Sequence, residues 1–265
     1  MQRLNNHFEE VTLLITHFNR PKSLLRLLRS VEELSMSFGE VLVSDDCSNP
    51  ENLVDLEKLN KEGKIRLLTS AKNGGLQRNL NKAHRAVLTL FTLYIQEDFV
   101  PYPEFVSKFK TSLDLLKADE GLDMVRYYSY YKYPYITPVS DGFSEMNFSF
   151  FSWGWRKFAL YSDHPHLRRS TFVRKFGKFK EGINSDKAEF WMMMSVLQNK
   201  GRGLLYDQFR DLFDQKNDME SSSLNRADWT EKRRFSKNIF IIIVRQLYRH
   251  IGFHTKYLFF KYKQY

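Results

Sequence analysis

The sequence predicts an α/β protein: a mostly parallel sheet covered by helices on both faces. Three observations carry this. Short apolar runs of strand length alternate with stretches whose leucines recur at helical spacing. The runs are continuously apolar rather than alternating, as strands buried on both faces are. The chain is also long enough for one large core, with 265 residues, 42% of them hydrophobic and 15% aromatic, which excludes collagen, coiled coil and wholesale disorder.

The elements follow in order. Residues 11–16 (VTLLIT) read as the first strand. The turn His17-Phe18-Asn19-Arg20-Pro21 leads into a helix with Leu24, Leu25, Leu27, Leu28, Val31 and Leu34. Residues 40–44 (EVLVS) form a second strand, ending in Asp45-Asp46-Cys47-Ser48. Asn49-Pro50 opens a helix with Leu53, Leu56 and Leu59 on one face, and residues 65–69 form a third strand. The turn Asn73-Gly74-Gly75 precedes a helix holding Leu76, Leu80, Ala83 and Val87. Residues 91–95 (FTLYI) form a fourth strand, ending in Gln96-Glu97-Asp98. In the second half, 105–116 reads as a helix, 124–135 and 148–155 as aromatic strands, 167–176 and 186–199 as helices and 202–206 as a last strand. Residues 214–230 form a polar linker.

Composition narrows the function. Cys47 is the single cysteine, so there is no internal disulfide, zinc knuckle or thioredoxin-type pair, which points to a reducing compartment. No glycine-rich dinucleotide fingerprint or phosphate-binding loop follows the first strand, against a dehydrogenase or P-loop ATPase. The N-terminal residues lack the basic flank and apolar core of a signal peptide. No stretch approaches the roughly 18 apolar residues of a membrane span, and the longest apolar run of the tail, 239–244, has six. Of the net charge of +10, the tail 231–265 carries +8, with nine cations and Glu231 as its one acid. Ile239, Ile243, Leu247 and Ile251 recur there at helical spacing among aromatic residues. The tail therefore reads as an amphipathic helix on an anionic membrane surface, or as a helix docked on the body with a basic outer face. Net positive charge concentrated in the tail, with the first 230 residues at only +2, argues against a nucleic-acid partner.

The polar residues gather at strand ends: Thr16-His17, Asp45-Asp46 and Gln96-Glu97-Asp98. Ligands of an open parallel sheet bind in the crevice beyond those ends.

Four pieces in order, Thr16 to Pro21, Val43 to Ser48, Asn73-Gly74-Gly75 with Arg78-Asn79, and Gln96-Glu97-Asp98 with Pro101 and Pro103, resemble the nucleotide-sugar glycosyltransferases of the GT-A fold, family 2 in particular. The resemblance covers residues 10–105. It implies a GT-A (Rossmann-like) domain over 1–213, with a nucleotide-binding half at 10–105 and an acceptor half at 106–213. It implies transfer from a nucleotide-sugar donor, UDP-linked, to a saccharide or lipid-linked saccharide, with inversion. With the basic tail, it suggests bacterial surface polysaccharide synthesis at the cytoplasmic face of the membrane. A non-catalytic nucleotide-sugar binder and a nucleotidyltransferase are the rival readings.

Such a reaction sets three tasks. The base must be held, and the resemblance assigns this region to Thr16, Phe18, Asn19, Arg20, Asp45, Asp46, Asn73, Gly74, Arg78, Gln96 and Glu97. Asp46 can accept from a pyrimidine N–H. The leaving diphosphate must be neutralised by Mn²⁺ or Mg²⁺, which bind through few carboxylates plus phosphate oxygens. Asp98 is the implied ligand, although the first position of the family's Asp-x-Asp motif is Gln96 here. The acceptor hydroxyl must lose its proton to a carboxylate, and Asp186 and Glu189 are both candidates. Asp186 also reads as a helix cap, with Glu189 completing a capping box.

Overall fold

The computed structural model describes residues 6–216 and 239–263. The chain opens with β1 (Asn6–His17), α1 (Pro21–Glu33), β2 (Met36–Asp45), α2 (Pro50–Lys61), β3 (Arg66–Leu68), α3 (Leu76–Ala86) and β4 (Phe91–Gln96). It continues through β5 (Phe99–Pro101), α4 (Phe105–Ala118), β6 (Met124–Arg126), β7 (Ile136–Ser140), β8 (Phe143–Met146), β9 (His166–Arg169), α5 (Phe172–Phe176) and α6 (Ser185–Gln198). Then come β10 (Gly203–Tyr206), β11 (Phe213–Gln215) and the C-terminal helix α7 (Ile239–Phe259).

Nine strands form one sheet in the order β3-β2-β1-β4-β9-β6-β10-β8-β7. Strands β3, β2, β1 and β4 are mutually parallel. Strand β9 runs antiparallel between β4 and β6, and β8 antiparallel between β10 and β7. The other seven strands therefore share one direction, and β1, β2, β4 and β6 end at the same edge.

The continuously apolar strands feed two cores because side chains alternate across a sheet. From β1, Leu13 and Ile15 enter one core with Val43 of β2, Leu24 and Leu27 of α1, Leu56 of α2 and Phe105 and Phe109 of α4. Leu14 enters the other with Leu42, Leu80 of α3, Phe172 and Phe176 of α5 and Met192 and Met194 of α6. Pro21 and Pro50 stand in the first turns of α1 and α2, where a missing N–H costs nothing.

Three expectations for the second half are corrected. Of the run 124–135, only Met124–Arg126 is strand; beyond it the chain turns into irregular backbone that buries Tyr127 and Tyr133. The run 148–155 is no strand but a loop leading into a 3-10 turn at Trp155–Phe158. Its shape follows from Lys157, whose buried ammonium donates to the carbonyls of Ser149 (2.9 Å), Phe150 (2.5 Å) and Ser152 (2.5 Å). The expected helix 167–176 divides into β9 and the one-turn α5.

The tail's helix is docked on the body along one face and leaves apolar side chains exposed on another. Gln198 Nε2 donates to the carbonyls of Tyr257 (2.7 Å) and Phe260 (2.6 Å), and Phe253 packs on Phe158 and Phe190. Leu247, Tyr248, Ile251, Leu258 and Phe259 stay exposed. The expected linker 214–230 is corrected at its start, because Phe213–Gln215 form β11 and pair with β5, so the folded body runs past 213; residues 217–230 of the linker and 231–238 of the tail lie outside the described residues.

Candidate active site

A cleft of about 640 Å³ opens beyond the carboxyl ends of β1, β2, β4 and β6. Thr16, Phe18, Arg20, Asp46, Asn73, Asn79, Gln96, Glu97, Asp98, Asp186 and Glu189 line it. Three strand ends, two turns and the start of α6 thus meet in one space. Asn19, Asp45, Gly74 and Arg78 do not reach its wall.

Those four support the wall instead. Asp45 is buried in a network: its Oδ1 accepts from His17 Nδ1 (2.8 Å) and Ser48 Oγ (2.5 Å), and its Oδ2 from Ser48 N (2.9 Å). His17 Nε2 accepts from Arg20 N at 3.2 Å, so the proton sits on Nδ1 and the loop after β1 is pinned. Asn19, at φ 53°, accepts at Oδ1 from Asn49 N (2.7 Å) and Asn52 Nδ2 (3.0 Å), clamping that loop to α2. Arg78 lies exposed over Gly74, with its Cδ 2.3 Å from where a Cβ on Gly74 would stand.

The Asp45 network sets a pH response. Burial pushes its carboxyl upward, but the hydrogen bonds from His17 and Ser48 outweigh this and hold it below the ordinary 3.8. A depressed folded value contributes stability in full above pH 3.8 that is lost as pH falls through the folded value. Asp45→Asn is expected to flatten the acid limb of an unfolding titration followed by circular dichroism. It is also expected to cost about 1–3 kcal/mol at neutral pH. An unchanged acid limb would count against the network.

Asp46 receives two backbone donors. Gly74 N reaches its Oδ1 at 2.9 Å and Gly75 N its Oδ2 at 2.6 Å. Gly75 stands at φ +82°, a left-handed conformation open to glycine, and leads directly into α3. Asn79, on α3, pairs with Ser44 through both halves of its amide (2.6 and 2.7 Å). Thr16 Oγ1 lies 3.1 Å from Tyr94 Oη under the cleft floor.

The acidic end is built around Asp98. Arg20 Nη1 stands 3.4 Å from Glu97 and 4.0 Å from Asp98. Gln215 of β11 donates through Nε2 to Asp98 Oδ2 at 2.9 Å and accepts at Oε1 from Tyr130 Oη at 3.2 Å. Asp98 Oδ1 is buried and meets no hydrogen-bond donor, a vacancy that an oxygen-seeking cation satisfies. Among the described residues no three His, Cys, Asp or Glu side chains cluster as a metal cage. The residues therefore fit a cation held by one carboxylate, with other ligands supplied by phosphate oxygens and water. Burial and the neighbouring Asp98 charge push Glu97 up to about 7, against the pull of Arg20.

At the start of α6, the expected capping box is corrected. Asn184 caps the helix, accepting from Asp186 N at 2.9 Å. Glu189 Oε1 instead accepts from Asp163 N at 3.1 Å.

The cleft also contains residues the sequence reading missed. Arg126 ends β6 and donates through Nη1 to Ala159 O at 2.8 Å. Asp163 accepts from Tyr161 Oη at 2.5 Å and is pushed up to about 7 by burial and the Glu189 charge. Phe253 enters from α7. Arg126 obeys the strand-end rule; Asp163 and Phe253 follow no local pattern.

Comparison with known proteins agrees with this fold. The structure of S. aureus TarS residues 1–349 in complex with UDP-GlcNAc is similar, with a TM-score of 0.58, 17% identity, and coverage of 93% of this chain and 74% of that one. The mannosyltransferase PcManGT from Pyrobaculum calidifontis, in complex with GDP-Man and Mn²⁺, gives a TM-score of 0.54 at 12% identity, covering 92% of this chain and 63% of that one. No curated protein matches the sequence. The family model described as glycosyl transferase family 2 matches residues 12–175. That span takes in β1 through α5 and the cleft's β1, β2, β4 and β6 edges, more than half of the chain, and on it the protein belongs to glycosyl transferase family 2, as a glycosyltransferase of the GT-A fold.

Proposed function

We propose that this glycosyltransferase moves a sugar from a UDP-linked donor to a hydroxyl of a saccharide or lipid-linked saccharide, with inversion, in bacterial surface polysaccharide synthesis at a membrane surface. The observation that carries the reading is the meeting of Thr16, Asp46 and Asp98, from three separate strand ends, in one cleft with Asp186 and Glu189. The nucleotide sugars bound by TarS and PcManGT support a donor of this class.

In this reading Asp46 keeps the Asn73–Gly75 turn against the nucleotide and, through its remaining lone pairs, accepts from the base. Thr16 borders the ribose. Arg20 brings positive charge to the diphosphate end. Asp98 would hold a Mn²⁺ or Mg²⁺ ion, which would supply Lewis-acid charge to the departing phosphate oxygen. The acceptor oxygen bonds to the anomeric carbon as the carbon–phosphate-oxygen bond breaks, through an oxocarbenium-like state. Asp186, in the first turn of α6 at the cleft wall, takes the acceptor's proton.

A thermal-shift panel tests this. UDP-glucose, UDP-galactose and UDP-GlcNAc are compared with GDP-mannose, each with and without Mn²⁺. A ligand at a hundredfold excess over its Kd stabilises by about 2.7 kcal/mol, a rise of several degrees. The expected result is a Mn²⁺-dependent rise with at least one UDP-sugar and none with GDP-mannose. A response to GDP-mannose alone, or to none of the four, overturns the assignment.

A further inference from the structure

We propose that the loop 148–155 and helix α7 form one continuous docking face, and that this face seats on an anionic lipid bilayer with Phe151 and Trp153 inserted beside the helix. The inference rests on the membrane attachment in the reading above and adds a second, non-contiguous element to it.

The loop's construction sends these rings outward. Lys157 draws the carbonyls of Ser149, Phe150 and Ser152 inward around its ammonium. Phe151, between two of these carbonyls, is left 94% exposed and Trp153, just beyond the last, 65% exposed. Two large aromatic side chains so exposed on a tightly held loop point to a binding surface.

The same loop is fastened along α7. The Trp153 ring stacks on His250 at 4.4 Å. Gly154 N donates to His250 Nδ1 at 3.2 Å, and Trp155 Nε1 donates to Gln246 Oε1 at 2.6 Å. Phe150 packs on His254 at 4.9 Å. The loop and the helix therefore present one surface.

Helical spacing divides α7 into three faces. Gln246, His250, Phe253 and Tyr257 meet the body. Val244, Leu247, Tyr248, Ile251 and Leu258 fall at i, i+3, i+4, i+7 and i+14, a single stripe, and all are exposed. Arg245, Arg249 and Lys256 follow along its flank. No helix among the described residues is long and apolar enough to cross a membrane, so the stripe suits a helix lying in the interface plane.

Charge selects the occupant. Residues 239–263 hold Arg245, Arg249, Lys256, Lys261 and Lys263 and no carboxylate, and 147–158 hold none either. Two copies meeting stripe to stripe would oppose these cations, whereas anionic headgroups attract them, by about 1 kcal/mol per basic residue near the surface.

Vesicle flotation of the full chain tests this. Vesicles of phosphatidylcholine alone are compared with vesicles containing 30% phosphatidylglycerol (a proportion of about one anionic lipid in three, giving a negative surface potential). Three proteins are used: wild type, F151S/W153S and L247S/I251S. Far-UV circular dichroism and the unfolding temperature check that the variants, altered only at exposed positions, remain folded. Wild type is expected to float with the anionic vesicles only, and each variant to lose about tenfold or more in partitioning, given about 1.5–3 kcal/mol for fully burying one large apolar side chain.

If L247S/I251S loses binding while F151S/W153S floats like wild type, the loop has no part and this inference falls while the membrane reading stands. If wild type fails to float, or sediments as a dimer that L247S/I251S dissociates, both fall. Equal flotation on both vesicle types overturns the anionic assignment.

Discussion

Asp98→Ala is expected to lower sugar transfer by about 10²–10³-fold, the usual cost of removing one preorganised charge-stabilising group, while the chain stays folded. The residue's side chain makes one hydrogen bond, from Gln215, and its other carboxylate oxygen has no donor. Nothing in the surrounding packing needs that oxygen, so its contribution lies with what enters the cleft. Asp98→Asn is expected to do nearly as badly, because a neutral amide oxygen neither adds charge nor competes with water for a hard cation. Initial rates with the donor found by thermal shift, measured across a Mn²⁺ titration, supply the check. A variant within tenfold of wild type, with the same Mn²⁺ dependence, would remove Asp98 from the chemistry.

Asp46→Asn is expected to weaken UDP binding by about 10–100-fold, equivalent to losing roughly 1.4–2.8 kcal/mol. The carboxylate accepts from Gly74 N and Gly75 N, one at each oxygen. An amide presents its own N–H to one of these donors, so one charge-assisted bond is lost and a half-buried backbone N–H of the turn loses its carboxylate acceptor. The Asn73–Gly75 turn then loses its anchor exactly where α3 begins. Isothermal titration with UDP reads the effect, and an unchanged Kd would show that the turn does not border the nucleotide.

The difference in legibility between the two halves has a physical cause. In β1, β2 and β4 both faces are buried, so unbroken apolar runs announce the strands and their polar ends announce the cleft. Thr16, Asp46 and Asp98 were visible for that reason. In the second half the aromatic runs serve unlike ends: Tyr127 and Tyr133 are buried, while Phe151 is bare. Aromatic density alone resembles a strand in both cases. Tertiary context, here the carbonyl cage of Lys157, decides the backbone. The β7–β8 hairpin carries a local signal, since Asp141-Gly142 at φ 50° and 81° is the residue pair such two-residue turns favour. Strands β5 and β11 have three residues each, too few for any period to show. Phe253 reaches the cleft from a helix far along the chain, and no local spacing reveals such a meeting.

Phe253 projects into the cleft from the same rod whose flank bears Val244, Leu247 and Ile251. A hydrogen-bonded helix moves as a stiff lever, so any tilt imposed at its outer flank is delivered to the chamber wall at Phe253. If α7 seats on a bilayer as proposed, its placement there and the shape of the cleft wall are geared together.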